Sequence, residues 1–209
     1  MENPLKIIFI RLVSKYTKQT AIQEDLWAEI KEHYSSPNRY YHTLLHLENV
    51  WVQLDGIKQE LQDMDSLLFA LFYHDVIYHP NRTDNEEKSA EFAEKRMLEI
   101  PVPSEKTNRC KAHILATKSH SESSDSDTNH FIDADLSILG QEWETYSEYF
   151  QNVRKEYINF PDFIYNPGRK KLLKEFLKSR RIFKTEYFYQ KIESQARENI
   201  QREIEWLNQ

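Results

Sequence analysis

Glycine is scarce in this chain, with 3 residues in 209, against a usual share of about 7%. Turn-rich β-sandwiches, P-loops and Rossmann folds need glycine at specific places, and no G-x-G-x-x-G or Walker-type loop occurs. Charged residues make up 30% of the chain, with many Glu, Lys, Leu and Gln. Because this composition favours helices with solvated faces, we expect an all-α fold.

The chain has almost no cysteine. It also lacks long apolar runs and an excess of positive charge. Cys110 is the only cysteine, which excludes an internal disulfide framework and any zinc site with several cysteines. The apolar run from Ile7 to Ile10 is too short for a membrane span. The net charge of −6 does not favour nucleic-acid or anionic-membrane binding. We see no signal-peptide pattern, so a cytoplasmic location is expected.

Capped amphipathic segments follow one another along the chain and predict one helical domain over residues 1–209, with no repeat or linker. A loop is expected over residues 121–129, and a break at Asn166-Pro167-Gly168. The predicted helices begin at Pro4, at Thr20 (with Gln23 as a capping box), at Arg39 (to about Leu61), at Asp65 or Ser66, at Asp84 (a capping box with Glu87), at Ser104 (through His120), after Gln141, and at Thr185 (to Trp206).

The stretch Leu71–Pro80 holds the most informative residues, because apolar side chains lead into the adjacent pair His74-Asp75. Two polar groups at the end of an apolar helix need partners, and a divalent metal binds imidazole and carboxylate well. With 8 His and 11 Asp in the chain, chance alone predicts roughly 0.4 such pairs. The pair is therefore informative only if further ligands reach it.

Further candidate ligands occur on both sides of this pair. His42 and His46 are four residues apart, so on the predicted helix they lie on one face, one turn apart. His113 and His120 are seven apart and can share a helix face, although a role at the boundary between core and surface also accounts for His113. Glu86 lies in a predicted first helical turn, where acidic groups stabilise the helix start.

Asp133 and Asp135 lie in an apolar setting and also need partners. One of them can cap the helix that follows, and the other is free to bind a metal.

The order of histidine, His-Asp pair and distant aspartate resembles the HD superfamily of metal-dependent phosphohydrolases. The resemblance implies four metal ligands: His46, His74, Asp75 and Asp135. It also implies an HD-domain-like helical bundle, here with additional C-terminal helices. Ligation by nitrogen and oxygen without thiolate suits Mn, Fe, Co, Ni or Zn better than Mg alone, and Mg as an accompanying ion stays open.

The segment Tyr41–Val50 is similar to the signature helix of cyclic-nucleotide phosphodiesterases, a branch of the same fold. That similarity implies that His42 is the general acid and that His46 binds the metal. The chain is short for a phosphodiesterase catalytic domain and lacks the purine-pocket segment. Taken whole, it resembles a bacterial family of predicted metal-dependent HD phosphohydrolases, also over Asp84–Ala90, Ala116–Lys118 and Asp133–Leu136.

The expected activity is hydrolysis of a phosphoester of a small phosphorylated substrate, such as a nucleotide, by metal-activated water. Asp75 is expected to be catalytic as well as a ligand, and Lys118 or Arg82 is a candidate phosphate contact. Five residues are candidates for contacts around the metal or the substrate: His79, Glu86, Lys118, His120 and Asp133. Whether the substrate is a monoester or a diester stays open, as does the oligomeric state.

Two alternatives remain. One is a di-iron oxygenase related to the HD fold, which needs further histidines between the His-Asp pair and the last aspartate. His113 and His120 are available, but their close spacing does not match the wide separation in such enzymes. The other is a regulatory module that binds metal without turnover.

Overall fold

The computed structural model describes residues 3–208, which form ten α-helices and one short 3-10 helix and contain no β-strand. The predicted all-α class is thereby confirmed. The α-helices are α1 Pro4–Val13, α2 Thr20–Tyr34, α3 Leu44–Gly56, α4 Met64–Tyr73, α5 Asn85–Glu99, α6 Ser104–Ala116, α7 Ser126–Asp135, α8 Trp143–Glu156, α9 Asp162–Lys178 and α10 Glu186–Trp206, with the 3-10 helix at Leu136–Gly140.

Packing divides the chain into two compact units, Met1–Ile132 and Asp133–Gln209. The boundary falls within α7, and the single domain over residues 1–209 stays a prediction. None of the helices formed by residues 3–208 has the length and apolarity needed to cross a bilayer.

The first unit is built around α4. All eight residues of Ser66–Tyr73 are buried, and a helix that is apolar on every side must be enclosed by others. Four helices, α1, α3, α5 and α6, pack against it. Asp63 caps its start by accepting a hydrogen bond from the backbone N–H of Ser66, and His74 is the C-cap residue. The buried helix α4 therefore ends directly before His74 and Asp75.

The connection between α2 and α3 differs from the prediction. The helix expected from Arg39 begins only at Leu44, after Thr43 in an extended conformation with φ −114° and ψ −179°. The Arg39 guanidinium binds the carbonyl oxygen of His42, which holds this segment outside the helix. His42 and His46 therefore do not share a helix face, because His42 precedes α3.

Two further boundaries differ from the prediction. α6 ends at Ala116, and His120 lies beyond it in a left-handed conformation with φ 50°. α7 begins at Ser126, inside the predicted loop. Its start is capped by Asp125, whose carboxylate accepts a hydrogen bond from the N–H of Thr128 at 3.0 Å. A polar segment that reads as a loop can thus supply a helix cap.

The capping boxes predicted at Thr20 and Asp84 do not form. Thr20 is the first residue of α2 rather than its cap. Asp84 is the residue before α5, but its carboxylate binds the Arg82 guanidinium through two hydrogen bonds of 2.8 and 2.7 Å. A charged partner thus takes the place of the backbone donors.

The second unit contains a helix that the prediction interrupts. α9 runs through Pro167 without a break. Beyond the proline, Arg169 forms a buried two-bond ion pair with Glu203 of α10, at 2.7 and 3.0 Å. These contacts hold the C-terminal part of α9, so tertiary packing outweighs the cost of proline inside a helix. The side chains of both partners are buried.

The last helix agrees with the prediction, with Thr185 as its N-cap and Trp206 as its last residue. The 3-10 helix approaches α10 so closely that a Cβ added at Gly140 would lie 2.5 Å from the Cβ of Ile192. One of the three glycines is therefore required by packing, not by a turn.

Candidate metal centre

Three predicted ligands converge within the first unit. His46 lies in the first turn of α3, His74 is the C-cap of α4, and Asp75 follows it directly. Each offers one ligand atom, and these atoms lie within 4.8 Å of one another. Among residues 3–208 this is the one group of three or more His, Cys, Asp or Glu with such geometry.

The distances between the three ligand atoms suit a single metal ion. His46 Nε2 lies 3.1 Å from His74 Nε2, and Asp75 Oδ2 lies 3.6 Å from His46 Nε2 and 3.2 Å from His74 Nε2. Adjacent donors around an ion with bonds of about 2.1 Å are about 3.0 Å apart in octahedral geometry and about 3.4 Å apart in tetrahedral geometry. The three side chains therefore fit a divalent ion.

The tautomer of His74 also fits metal binding. Its Nδ1 lies 3.0 Å from the carbonyl oxygen of Leu71, one turn earlier in α4. A carbonyl oxygen only accepts, so Nδ1 carries the proton and donates it. The Nε2 lone pair of the neutral ring then faces His46 and Asp75. A backbone carbonyl that orients an imidazole in this way is a usual feature of metal-ligating histidines.

Asp75 is held as a carboxylate. Burial raises its pKa, but the imidazoles of His74 and His42, when protonated, outweigh this and hold the pKa of Asp75 well below its usual range. In the metal-binding form, with both rings neutral, a cation beside the carboxylate would have the same effect. An ionised carboxylate is the form that binds a metal.

His42 reaches the same carboxylate from outside the helix. Its Nε2 lies 4.0 Å from Asp75 Oδ2, and its side chain is 19% exposed, against 3% for His46. Its ring packs on the Tyr78 ring, with centroids 4.1 Å apart. The residue predicted to be the acid is therefore the more accessible of the two histidines.

The sequence reasoning missed Arg39, Tyr34 and Tyr78, which support these residues. Arg39 donates to the carbonyl oxygen of Asp75, and the Tyr34 hydroxyl accepts the Asp75 backbone N–H at 3.2 Å. No signal in the sequence marks them, because an arginine and two tyrosines without characteristic spacing are common on helical surfaces.

The two aspartates near residue 134 belong to the second unit. Asp133 accepts hydrogen bonds from the backbone N–H of Lys184 and of Thr185, at 2.8 and 2.7 Å, and from the Thr185 hydroxyl at 2.7 Å. It therefore caps a helix, as expected for one of the two, but this helix is α10 and not the next one. Asp135 is the half-buried last residue of α7, and its role as fourth ligand stays a prediction.

The candidate phosphate contacts are engaged with other groups. Lys118 binds the carboxylate of Glu87, and its Nζ donates to the carbonyl oxygen of Thr83 at 2.6 Å. The Arg82 guanidinium binds Asp84. Neither cation is held toward the His46–His74–Asp75 group by these contacts.

The remaining candidates occupy varied positions. His79 is exposed in the loop after α4 and exchanges two 3.0 Å hydrogen bonds with Asn85. Glu86 is half-buried in the first turn of α5. The site roles of His79, Glu86 and His120 stay predictions. His113 is buried and its Nδ1 lies 2.9 Å from the Thr128 hydroxyl, so it is a hydrogen-bonded core residue and not one at the boundary with the surface.

Comparisons of the chain with protein-family models, with curated proteins and with solved structures find no match.

Proposed function

We propose that this chain is a metal-dependent phosphohydrolase of the HD kind that cleaves a phosphoester of a small substrate, such as a nucleotide. The observation that carries the proposal is the convergence of His46, His74 and Asp75 at donor distances of 3.1 to 3.6 Å. His46 lies in α3 while the other two residues follow α4, and the sequence resemblance assigns all three one function. Asp135 is the predicted fourth ligand.

Each of the three side chains contributes a defined group. The neutral imidazoles of His46 and His74 present Nε2 lone pairs, and Asp75 presents one oxygen. A divalent ion held by them supplies a Lewis acid for the phosphoryl group and lowers the pKa of water. The two histidines are nearly inaccessible to solvent, which strengthens electrostatic interactions at this point.

His42 supplies the acid in the proposed reaction. His42 Nε2 lies 4.0 Å from the Asp75 carboxylate, so the imidazole lies beside a group that would hold the metal. Its partial exposure allows contact with a substrate, and the Tyr78 ring fixes the plane of the imidazole. His42 then transfers its Nε2 proton to the leaving oxygen as the phosphorus–oxygen bond breaks.

The test is a hydrolysis screen of the metal-analysed protein. The full chain, loaded in turn with Mn, Fe, Co, Ni or Zn, is assayed over nucleotides, phosphomonoesters and phosphodiesters. Asp75→Ala is expected to lose both metal and hydrolysis. Asp65→Ala is the matched control, because Asp65 lies in α4, the helix that Asp75 follows, but binds Lys15 and Tyr16 instead.

The outcomes separate the alternatives. Full metal occupancy in Asp75→Ala excludes it as a ligand and contradicts the proposal. Tight metal binding without hydrolysis of any substrate in the panel favours the regulatory module. Two iron ions per chain and a coloured protein favour the di-iron oxygenase.

A further inference from the structure

Arg39 lies where three segments of the first unit meet: the end of α2, the segment before α3 and the turn after α4. Its Nη1 donates to the carbonyl oxygens of His42 and Asp75, at 3.1 and 2.7 Å, and its Nη2 donates to that of Val76 at 2.9 Å. One guanidinium therefore connects the backbone of the proposed acid with the backbone of a proposed metal ligand.

Two aromatic rings complete this arrangement. The guanidinium carbon lies 4.9 Å from the centroid of Tyr34 and 5.5 Å from that of Tyr78. Both tyrosines also contact the site, since Tyr34 accepts the Asp75 N–H and Tyr78 packs on the His42 ring. Cation–π attraction therefore joins Arg39 to two rings that themselves contact Asp75 and His42.

The segment that carries His42 depends on these contacts because it is not helical. Residues 39–43 lie outside the α-helices, so the regular hydrogen bonds of a helix do not fix His42. His46, by contrast, is held in the first turn of α3. Catalytic groups must be placed closely, and a displacement of about 1 Å is enough to cost about 10²-fold in rate.

We infer that Arg39 is a positioning residue that sets His42 and Asp75 at their working separation. This inference rests on the proposed function, in which His42 is the acid and Asp75 a ligand. Lysine cannot replace arginine here. Its ammonium is a point charge, whereas the planar guanidinium donates to several carbonyl oxygens in fixed directions and stacks on aromatic rings.

The test compares Arg39→Lys and Arg39→Met with Arg96→Met. Arg96 is a matched control, because it also lies against an aromatic ring, that of Phe92, and it binds Glu29 rather than the site. Helical content and cooperative unfolding are measured first, followed by Mn²⁺ and Zn²⁺ titrations. Both Arg39 variants are expected to fold and to bind metal about 10–100-fold more weakly, as for other residues that orient ligands. Arg96→Met is expected to keep the affinity of the unaltered protein.

Kinetics provide a second measurement. Because Arg39 holds His42, replacing Arg39 should lower kcat more than it changes KM. The kcat loss should be larger for substrates with poor leaving groups, which need protonation, than for nitrophenyl esters. If Arg39 had a purely structural role, kcat would fall equally for both classes of substrate.

Different results would contradict the positioning role of Arg39 and the proposed function. Unchanged metal affinity in Arg39→Met, in a protein that binds metal, overturns the positioning role alone. Unfolding of both Arg39 variants assigns Arg39 a structural role and also overturns it. An unaltered protein that binds no metal contradicts the proposed function itself.

Discussion

At the scale of single residues, His42 and His46 are expected to respond differently to substitution. His46→Gln should lose metal, because its buried Nε2 lies 3.1 Å from that of His74. His42→Gln should keep metal, because its more exposed ring lies before the helix. It should lose about 10²–10⁴-fold in rate, as expected for a general acid. The measurements are metal content and kcat on poor and good leaving groups.

The two variants serve as controls for each other. Loss of metal in His42→Gln, or an equal rate loss on nitrophenyl and alkyl esters, would exclude the acid role.

His113 gives a pH dependence of stability that does not involve the metal centre. Burial lowers the pKa of His113 from 6.5 to about 4, with Arg109 acting in the same direction and Asp125 and Asp127 opposing it. Between these pKa values the unfolded chain binds the extra proton, so folding is favoured at higher pH. The contribution of His113 to the free energy of unfolding is complete above pH 6.5. It falls by about 3 kcal/mol as the pH falls to 4.

The measurement is the free energy of unfolding in urea from pH 7.5 to pH 4. His113→Gln is expected to lose about 3 kcal/mol less over this range than the unaltered protein. If both proteins show the same pH dependence, His113 is not responsible for it.

At the scale of elements, the start of α10 depends on a residue distant in sequence. Asp133→Ala removes the acceptor of three hydrogen bonds from Lys184 and Thr185. These half-buried donors then lose their partner, and we expect the free energy of unfolding to fall by about 2 kcal/mol. Urea unfolding measures the effect.

Glu186→Ala is the matched control for that prediction. Glu186 is an exposed acidic residue in the first turn of the same helix, and its loss should cost much less stability than the loss of Asp133. Metal content should stay complete in Asp133→Ala, because its carboxylate is used as a cap. Loss of metal with unchanged stability would instead identify Asp133 as a ligand.

At the scale of the whole molecule, metal is expected to stabilise the first unit. An ion that binds only the folded state adds about 2.7 kcal/mol when its free concentration is 100-fold above its Kd. A chain with Trp143→Phe and Trp206→Phe keeps Trp27 and Trp51, so its fluorescence reports on that unit. Zn²⁺ or Mn²⁺ should raise its unfolding temperature, and EDTA should reverse the change.

The same experiment with Asp75→Ala added provides the control. Its unfolding temperature should not respond to metal. An equal rise in both proteins would place the bound ion elsewhere.

Local sequence determined the helical class and most helix positions, because glycine scarcity and apolar periodicity act within one element. It also predicted that an apolar helix leads into His74-Asp75, and in the structure eight buried residues of α4 precede the pair. It also marked His46 through the resemblance. Helix ends were less predictable. Pro167 lies inside α9, because Arg169 beyond it is held by Glu203 of α10. Asp125 caps α7 from within a polar segment that resembles a loop.

Tertiary structure alone decided how the candidate residues are used. The residues alone left open which of Asp133 and Asp135 is a cap, and the family resemblance assigned Asp135 to the metal. The structure shows that the backbone N–H groups of residues 184 and 185 bind Asp133. Spacing placed His42 on a helix face, yet His42 lies in an irregular segment. Arg39 binds the carbonyl oxygen of His42 and also that of Asp75, which is distant in the sequence. Such contacts join groups more than thirty residues apart, and no periodicity within one element encodes them.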